Sequence, residues 1–253
     1  GQPDLAYLTP DWLDSMKSIH GSFEFVSYKV GKPQARLPWK RARPAPDIPW
    51  PPKGVSFTLT LSLPKGELDG VNVHVHYELY DGMPVLSKWI TVENSGVEPL
   101  TIDKFTSELL RFVEPESVVD SNPSWMIPNV TIATDYSFGG MAVNNSNRTA
   151  NWLPDPEYTT QVNYDLKMPC ILEMRPPLGP AFTLEPGKTF SSFRTFELFH
   201  DSTDRERKGL AVRKMMRALS PWSAENPLMM HVTSTDEKVM KTDRKSTRLN
   251  SSH

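Results

Sequence analysis

Cysteine is nearly absent. The 253 residues contain one, Cys170, so neither an intrachain disulfide nor a cysteine metal cluster can form. Its setting, Met168-Pro169-Cys170-Ile171-Leu172, reads as that of a buried small hydrophobe. No apolar run approaches the ~18 residues of a transmembrane helix. A charge excess of either sign is also missing. With 28 basic and 30 acidic residues the net charge is −2, and nothing in that balance directs the chain to nucleic acid or to an anionic membrane. No internal repeat and no cofactor motif is present. The first residue is Gly1 rather than methionine, so a signal peptide is not observable. The preferred compartment is extracellular or periplasmic, and the oligomeric state is left open.

What is present is an ordinary globular composition, 38% apolar and 23% charged, too apolar for disorder and long enough for a sizeable core. Proline is abundant, at 24 residues. These prolines fall between β-like runs and so read as turn and edge punctuation. Seven of them, with Arg36, Lys40, Arg41 and Arg43, mark residues 31–53 as an extended crossing segment.

The β signal is strongest from residue 55 onward. Val55, Phe57, Leu59, Leu61 and Leu63 alternate with small polar residues up to Pro64-Lys65-Gly66. Val71, Val73, Val75, Tyr77 and Leu79 then alternate with Asn72, His74, His76, Glu78 and Tyr80. Asp81-Gly82 makes a turn into a strand over 85–93, which ends at Asn94-Ser95-Gly96. The pattern further predicts a weak strand at 23–30 and one or two strands over 100–113. It also predicts strands at 162–166, 170–174 and 181–184, the last followed by the turn Glu185-Pro186-Gly187-Lys188 and a final strand over 189–199. Long loops with short strands fill 114–160. Strands with one apolar face must bury those faces between two layers.

The pattern then becomes helical. A short helix is also read within 1–20, from Trp12, Leu13, Met16 and Ile19. Thr203-Asp204-Arg205-Glu206 predicts a capping box with Thr203 as the cap. Leu210, Ala211, Met215, Ala218 and Leu219 give an apolar stripe, and Pro221 ends the helix. Residues 228–232 form a short apolar strand interrupted by His231, as at the start of an α/β domain. The final residues 243–253, DRKSTRLNSSH, resemble a translated sequencing adapter codon by codon and are set aside as foreign. The natural chain is then expected to continue past Thr242.

Two blocks carry a family likeness. The stretch from Val75 to Trp89, His-Tyr-Glu-Leu-Tyr-Asp-Gly-Met-Pro within it, followed by Val92-Glu93-Asn94, resembles the N-terminal β-supersandwich of α-galactosidase-like glycoside hydrolases. A second block resembles their connector into a (β/α)₈ barrel. It runs from Phe193-Arg194-Thr195-Phe196-Glu197-Leu198 through Leu219-Ser220-Pro221-Trp222 to Glu225-Asn226-Pro227. The resemblance implies a mainly β fold, an antiparallel supersandwich over 1–200. A connector helix and the first strand of a truncated barrel would follow over 201–242. It also implies retaining hydrolysis of an α-linked sugar by two acids at the ends of later barrel strands. Lys241-Thr242-Asp243 imitates a nucleophile motif but comes too early, so no catalytic residue is carried over.

The candidate contacts are for carbohydrate. Trp125, Tyr136, Trp152 and Tyr158 lie beside Asn144, Asn145, Asn147 and Asp155, and rings flanked by amides and carboxylates suit a sugar's C–H faces and hydroxyls. His231, with Thr233 and Ser234, would line a sugar pocket at the end of a first barrel strand. His74 and His76 share a strand face but lack a third metal ligand, so a solvated polar face is expected. Glu108, Glu114, Glu116 and Asp120 are expected to be solvated or charge-balanced. Sequon patterns occur at Asn129, Asn144 and Asn147. Without its barrel, the chain after residue 210 is expected to pack poorly and to expose Met215, Met216, Met229 and Met230. The alternatives are a stand-alone carbohydrate-binding or structural sandwich, or a lyase- or mutarotase-like sandwich with His, Tyr or Glu grouped on a concave face.

Overall fold

The computed structural model describes residues 21–42, 48–64, 66, 68–112, 127–136, 148–156 and 164–225. Trp125, His231, Glu114, Glu116, Asp120, Asn144, Asn145, Asn147, Tyr158, Met229, Met230, the 1–20 helix and the 228–232 strand lie outside them.

The fold is mainly β and antiparallel. The strands are β1 (Glu24–Gly31), β2 (Gly54–Ser62), β3 (Val71–Tyr80), β4 (Val85–Asn94), β5 (Leu100–Ile102), β6 (Glu108–Arg111), β7 (Val130–Thr134), β8 (Ala150–Pro154), β9 (Pro169–Met174), β10 (Phe182–Leu184), β11 (Lys188–Ser191) and β12 (Thr195–Phe199). One large sheet has the order β1-β2-β3-β4-β12-β7, with β11 also on β4. The pair β10-β5 and the trio β6-β9-β8 form smaller sheets.

Alternation in the sequence becomes two chemically distinct faces. Val55, Phe57, Leu59 and Leu61 of β2 stand opposite Leu79, Tyr77, Val75 and Val73 of β3, which stand opposite Leu86, Lys88, Ile90 and Val92 of β4. The small sheets lie against this face. Phe190 contacts Phe105 and Phe182, and Phe199 contacts Phe112, with ring centroids 5.5–6.4 Å apart. Met168, Cys170, Leu172, Met174 and Leu184 are buried. The opposite face carries Thr58, His76, Trp89 and Thr91 in its middle. At one end it carries an apolar cluster of Tyr80, Val85, Phe196 and Leu198.

That cluster seats α1 (Arg205–Leu219), whose Met215 and Leu219 are buried in it. Here the expectation of exposure is corrected for Met215, while Met216 is exposed as expected. Met215 is 1% exposed and Met216 46%, because a helix turns its side chains by about 100° per residue and only one of two neighbours can face the sheet. Leu210, assigned to the inward stripe, is exposed for the same reason. The helix cap also moves by one residue. Asp204, not Thr203, accepts from the Arg207 N–H at 2.8 Å, and a carboxylate gains more from the positive end of a helix than a hydroxyl does. Ser220 follows the last turn, and Pro221–Glu225 forms a 3₁₀ turn.

Other boundaries differ in instructive ways. Two strands in different sheets, β5 and β6, lie within residues 100–112. Residues 164–166 form a turn rather than a strand. The run 189–199 breaks into β11 and β12 at Ser192, whose hydroxyl accepts the Ile90 N–H at 3.0 Å while its own N–H donates to the Ile90 carbonyl. A side-chain oxygen thus replaces a ladder acceptor. The Asp81-Gly82 turn is present, with Gly82 at φ 69°, where a residue without Cβ is favoured.

Candidate functional site

The predicted sugar-contacting residues separate. Tyr136 directly follows β7, stacks on Phe193 at 5.6 Å with planes 8° apart, and keeps 41% of its surface exposed. Trp152 sits in β8 rather than in a loop, against Phe112. Asp155, expected beside it as a polar sugar partner, is buried and paired with Arg111 at 3.1 Å. Asn129 donates its side-chain amide to the His200 and Ser202 carbonyls, so the sequon nitrogen is engaged in folding.

Tyr136 lines a cleft of about 440 Å³ with Arg36, Asp135, Met216, Ser220 and Trp222. Strand β7 delivers Asp135 and Tyr136, the crossing segment delivers Arg36, and the end of α1 delivers Ser220 and Trp222. Arg36 is the pin. Its Nη2 donates to the Leu219 carbonyl at 2.7 Å and to Ser220 Oγ at 3.3 Å. Its guanidinium lies 5.0–5.9 Å from the rings of Phe196, Trp222 and Trp50. Burial lowers its pKa, and the Asp135 carboxylate partly offsets that. Asp135 Oδ1 accepts from the Arg194 N–H. The cleft therefore combines an exposed ring, a carboxylate and a fixed cation.

The sequence predicts a solvated polar face around His74 and His76. It is more ordered than that. His76 stacks on Trp89 at 4.7 Å with planes 9° apart, and Arg194 lies 3.7 Å from the same indole. His76 is hydrogen-bonded to Thr58 and Thr91, and His74 to Thr60 and Glu93. Burial, then His74 and Arg194, push the His76 pKa down to about 4, so the ring is neutral near pH 7. Next to it Glu78 is buried, bonded to Tyr80 Oη at 2.8 Å and to Arg194 at 3.3 Å. The Gln34 N–H reaches the other Glu78 oxygen. Burial and the neighbouring Glu78 raise the Tyr80 pKa. His76, Glu78 and Tyr80 thus share one face of β3, with Glu78 and Tyr80 buried. Alternation along β3 puts these residues on one face, but the partners Trp89 and Arg194 come from strands and loops distant in sequence. Both nitrogens of His76 are engaged, and its pKa is far from that of a neutral-pH acid–base group. Among the described residues no group of three or more His, Cys, Asp or Glu is arranged to hold a metal ion.

A third cluster lies between the layers. Glu108, expected to be solvated or charge-balanced in an exposed region, is 3% exposed and bonded to Lys88 at 2.8 Å. Glu197 is fully buried, and neither of its oxygens has a hydrogen-bond partner. Burial and the adjacent Glu108 push its pKa up to about 8, with Lys88 opposing. The shift favours the neutral form of Glu197, whose proton keeps two like charges from meeting.

No family model matches the chain, and no curated protein matches it. Solved structures do. The GH36 α-galactosidase AgaA from Geobacillus stearothermophilus is similar over 73% of this chain and 29% of its own, at 14% identity and TM-score 0.44. AgaB from the same organism is similar over 73% of this chain and 28% of its own, also at 14% and 0.44. An AgaA variant in complex with stachyose gives 73%, 29%, 14% and 0.43. The chain spans about 29% of the AgaA length.

Proposed function

We propose that this chain is the amino-terminal, non-catalytic part of a retaining glycoside hydrolase acting on α-linked sugars of the α-galactoside kind. Residues 1–200 would form the bracing sandwich. Residues 201–242 would form the connector and the opening of the catalytic barrel, with 243–253 foreign to the fold. The observation that carries this reading is the clamp on the connector. Arg36 bonds the last turn of α1, and Glu225 accepts from Trp39 Nε1 at 2.9 Å and from the Ala42 N–H at 3.1 Å. The crossing segment and the sheet together fix the position and direction in which the chain leaves the sandwich. A scaffold that positions a following domain needs such a rigid exit. The resemblance of the sequence blocks at 75–94 and 193–227 supports the choice of family. The two catalytic acids would come from later barrel strands, one attacking the anomeric carbon and the other protonating the leaving oxygen.

The test is recovery of the complete reading frame and assay of both proteins on p-nitrophenyl α-galactoside. The complete protein is expected to release nitrophenol, and NMR is expected to show the α anomer of galactose first. The chain alone is expected to release none. A stop codon soon after residue 242, or hydrolysis by the chain alone, would overturn the reading.

A second reading, a carbohydrate-binding module, is favoured by the cleft at Tyr136. An exposed ring beside a carboxylate and a cation suits a sugar face with its hydroxyls. Calorimetry with raffinose and stachyose tests it. Binding that falls about ten-fold in Tyr136→Ala but is unchanged in Trp152→Phe supports the module. Binding unaffected by Tyr136→Ala removes it.

A further inference from the structure

We propose that the free edge of β1 pairs with the same edge of a second copy of this chain, antiparallel about a two-fold axis between Val26 and Ser27. Glu24 then faces Lys29 of the second copy, and Phe25 faces its Tyr28.

Strand β1 ends the large sheet, and among the described residues no strand lies on its outer side. Seven of its eight residues are exposed. They include Phe25, Val26, Tyr28 and Val30, each at 55–65%. Unpaired strand edges with apolar side chains are templates for another strand. The occupant is specified by the residues themselves. Phe25, Tyr28 and Val30 stand opposite Leu61, Leu59 and Phe57, on the apolar face, whereas Glu24, Ser27 and Lys29 stand opposite Ser62, Thr60 and Thr58, on the polar face. A regular strand would put residues 24 and 29 on opposite faces, because they are five apart. The bulge between Phe25 and Ser27 inserts one residue and brings them to the same face.

That shift admits the register in which opposite charges meet. In a two-fold antiparallel pair the positions facing each other have a constant sum, and facing residues must share a face. Centred between Val26 and Ser27, every flanking pair is in phase, with the two bulges meeting at the axis. Carboxylate then opposes ammonium twice, and phenylalanine opposes tyrosine twice. Centred on Lys29, the strands are also in phase, but two ammonium groups face each other, which is destabilising. Strand pairing alone buries a small area, so the dimer is expected to have a micromolar Kd.

Sedimentation equilibrium of the full chain from 1 to 200 µM, roughly bracketing that affinity, tests this. The unmodified chain is expected to dimerise. Lys29→Glu and Glu24→Lys each create two like-charged pairs across the axis and are expected to weaken the dimer about ten-fold or more. The double exchange, Glu24→Lys with Lys29→Glu, is expected to restore the original Kd within about three-fold. Both substituted positions are exposed, and circular dichroism serves as the check on folding. A chain that stays monomeric throughout, a dimer indifferent to both single changes, or a double exchange no better than the singles would each overturn the proposal.

Discussion

Lys88 of β4 and Glu108 of β6 meet at 2.8 Å between the large sheet and the small one, with Glu197 of β12 beside them. One ammonium thus serves two carboxyls in a buried space. The arrangement is neutralised only if one carboxyl keeps its proton, and Glu197, which lacks an ion-pair partner of its own, is the one that does.

Stability should therefore depend on pH through Glu197. Its carboxyl has an ordinary value of 4.5 and a folded value of about 8. Between these, the unfolded chain has lost the proton and the folded chain has kept it. Stability is then fully present below about pH 4.5 and declines as pH rises through about 8, by an amount on the order of a few kcal/mol. Glu197→Gln removes the titration while keeping the size and shape of the side chain. Urea unfolding from pH 5 to 8.5 should show this decline in the parent, with the variant losing much less over the same range. Parallel curves would show that Glu197 is ionised in the fold.

Residues on helical and strand faces could be read from the sequence where one period applied. The alternation over 55–63 and 71–79 corresponds to β2 and β3, and the stop at Pro221 and the turn at Gly82 are where expected. What could not be read depended on contacts distant in sequence. Glu108 reads as a surface carboxylate until Lys88, twenty positions away, is brought against it. Tyr136 reads like Trp152, yet one lines a cleft and the other packs on Phe112. Arg36 reads as one of several basic residues in a proline-rich stretch, and its partner at Leu219 is 183 positions on. The cap on α1 failed for a local reason, since Thr203 and Asp204 are both good caps and only the geometry of the first turn chooses between them.

The choice of cap gives a paired test. Asp204→Ala removes the acceptor of the Arg207 N–H and a negative charge at the helix start, and should cost about 1 kcal/mol. Thr203→Ala should change stability by less than about 0.5 kcal/mol. Chemical denaturation of both variants reads the difference directly. The reverse order would return the cap to Thr203.

The two adjacent methionines of α1 make a second pair. Met215 is packed on Tyr80, Val85, Phe196 and Leu198. Met215→Ala leaves a cavity there and should cost about 2–5 kcal/mol. Met216→Ala, on the solvent side, should stay within about 0.5 kcal/mol. Equal effects would mean that the helix does not sit on the sheet as described.

Arg36 links the crossing segment to the connector, so its loss should be felt at the end of α1 more than in the sandwich. Arg36→Met keeps most of the stem that packs among Trp50, Phe196 and Trp222 but removes the donors to Leu219 and Ser220. The lost bonds come from a charged group to helix-terminal oxygens, and hydrogen bonds of this kind contribute about 1.5–3 kcal/mol. Global unfolding should shift by no more than that. Hydrogen exchange should separate the regions: amides of residues 216–225 should lose protection by about ten-fold or more, while those of β3 and β4 remain near the parent. Uniform loss across the sheet would make Arg36 a general stabiliser of the fold. Loss confined to the exit of the helix is what a guide for a following domain requires, because the direction of the chain there depends on this one guanidinium and on Glu225.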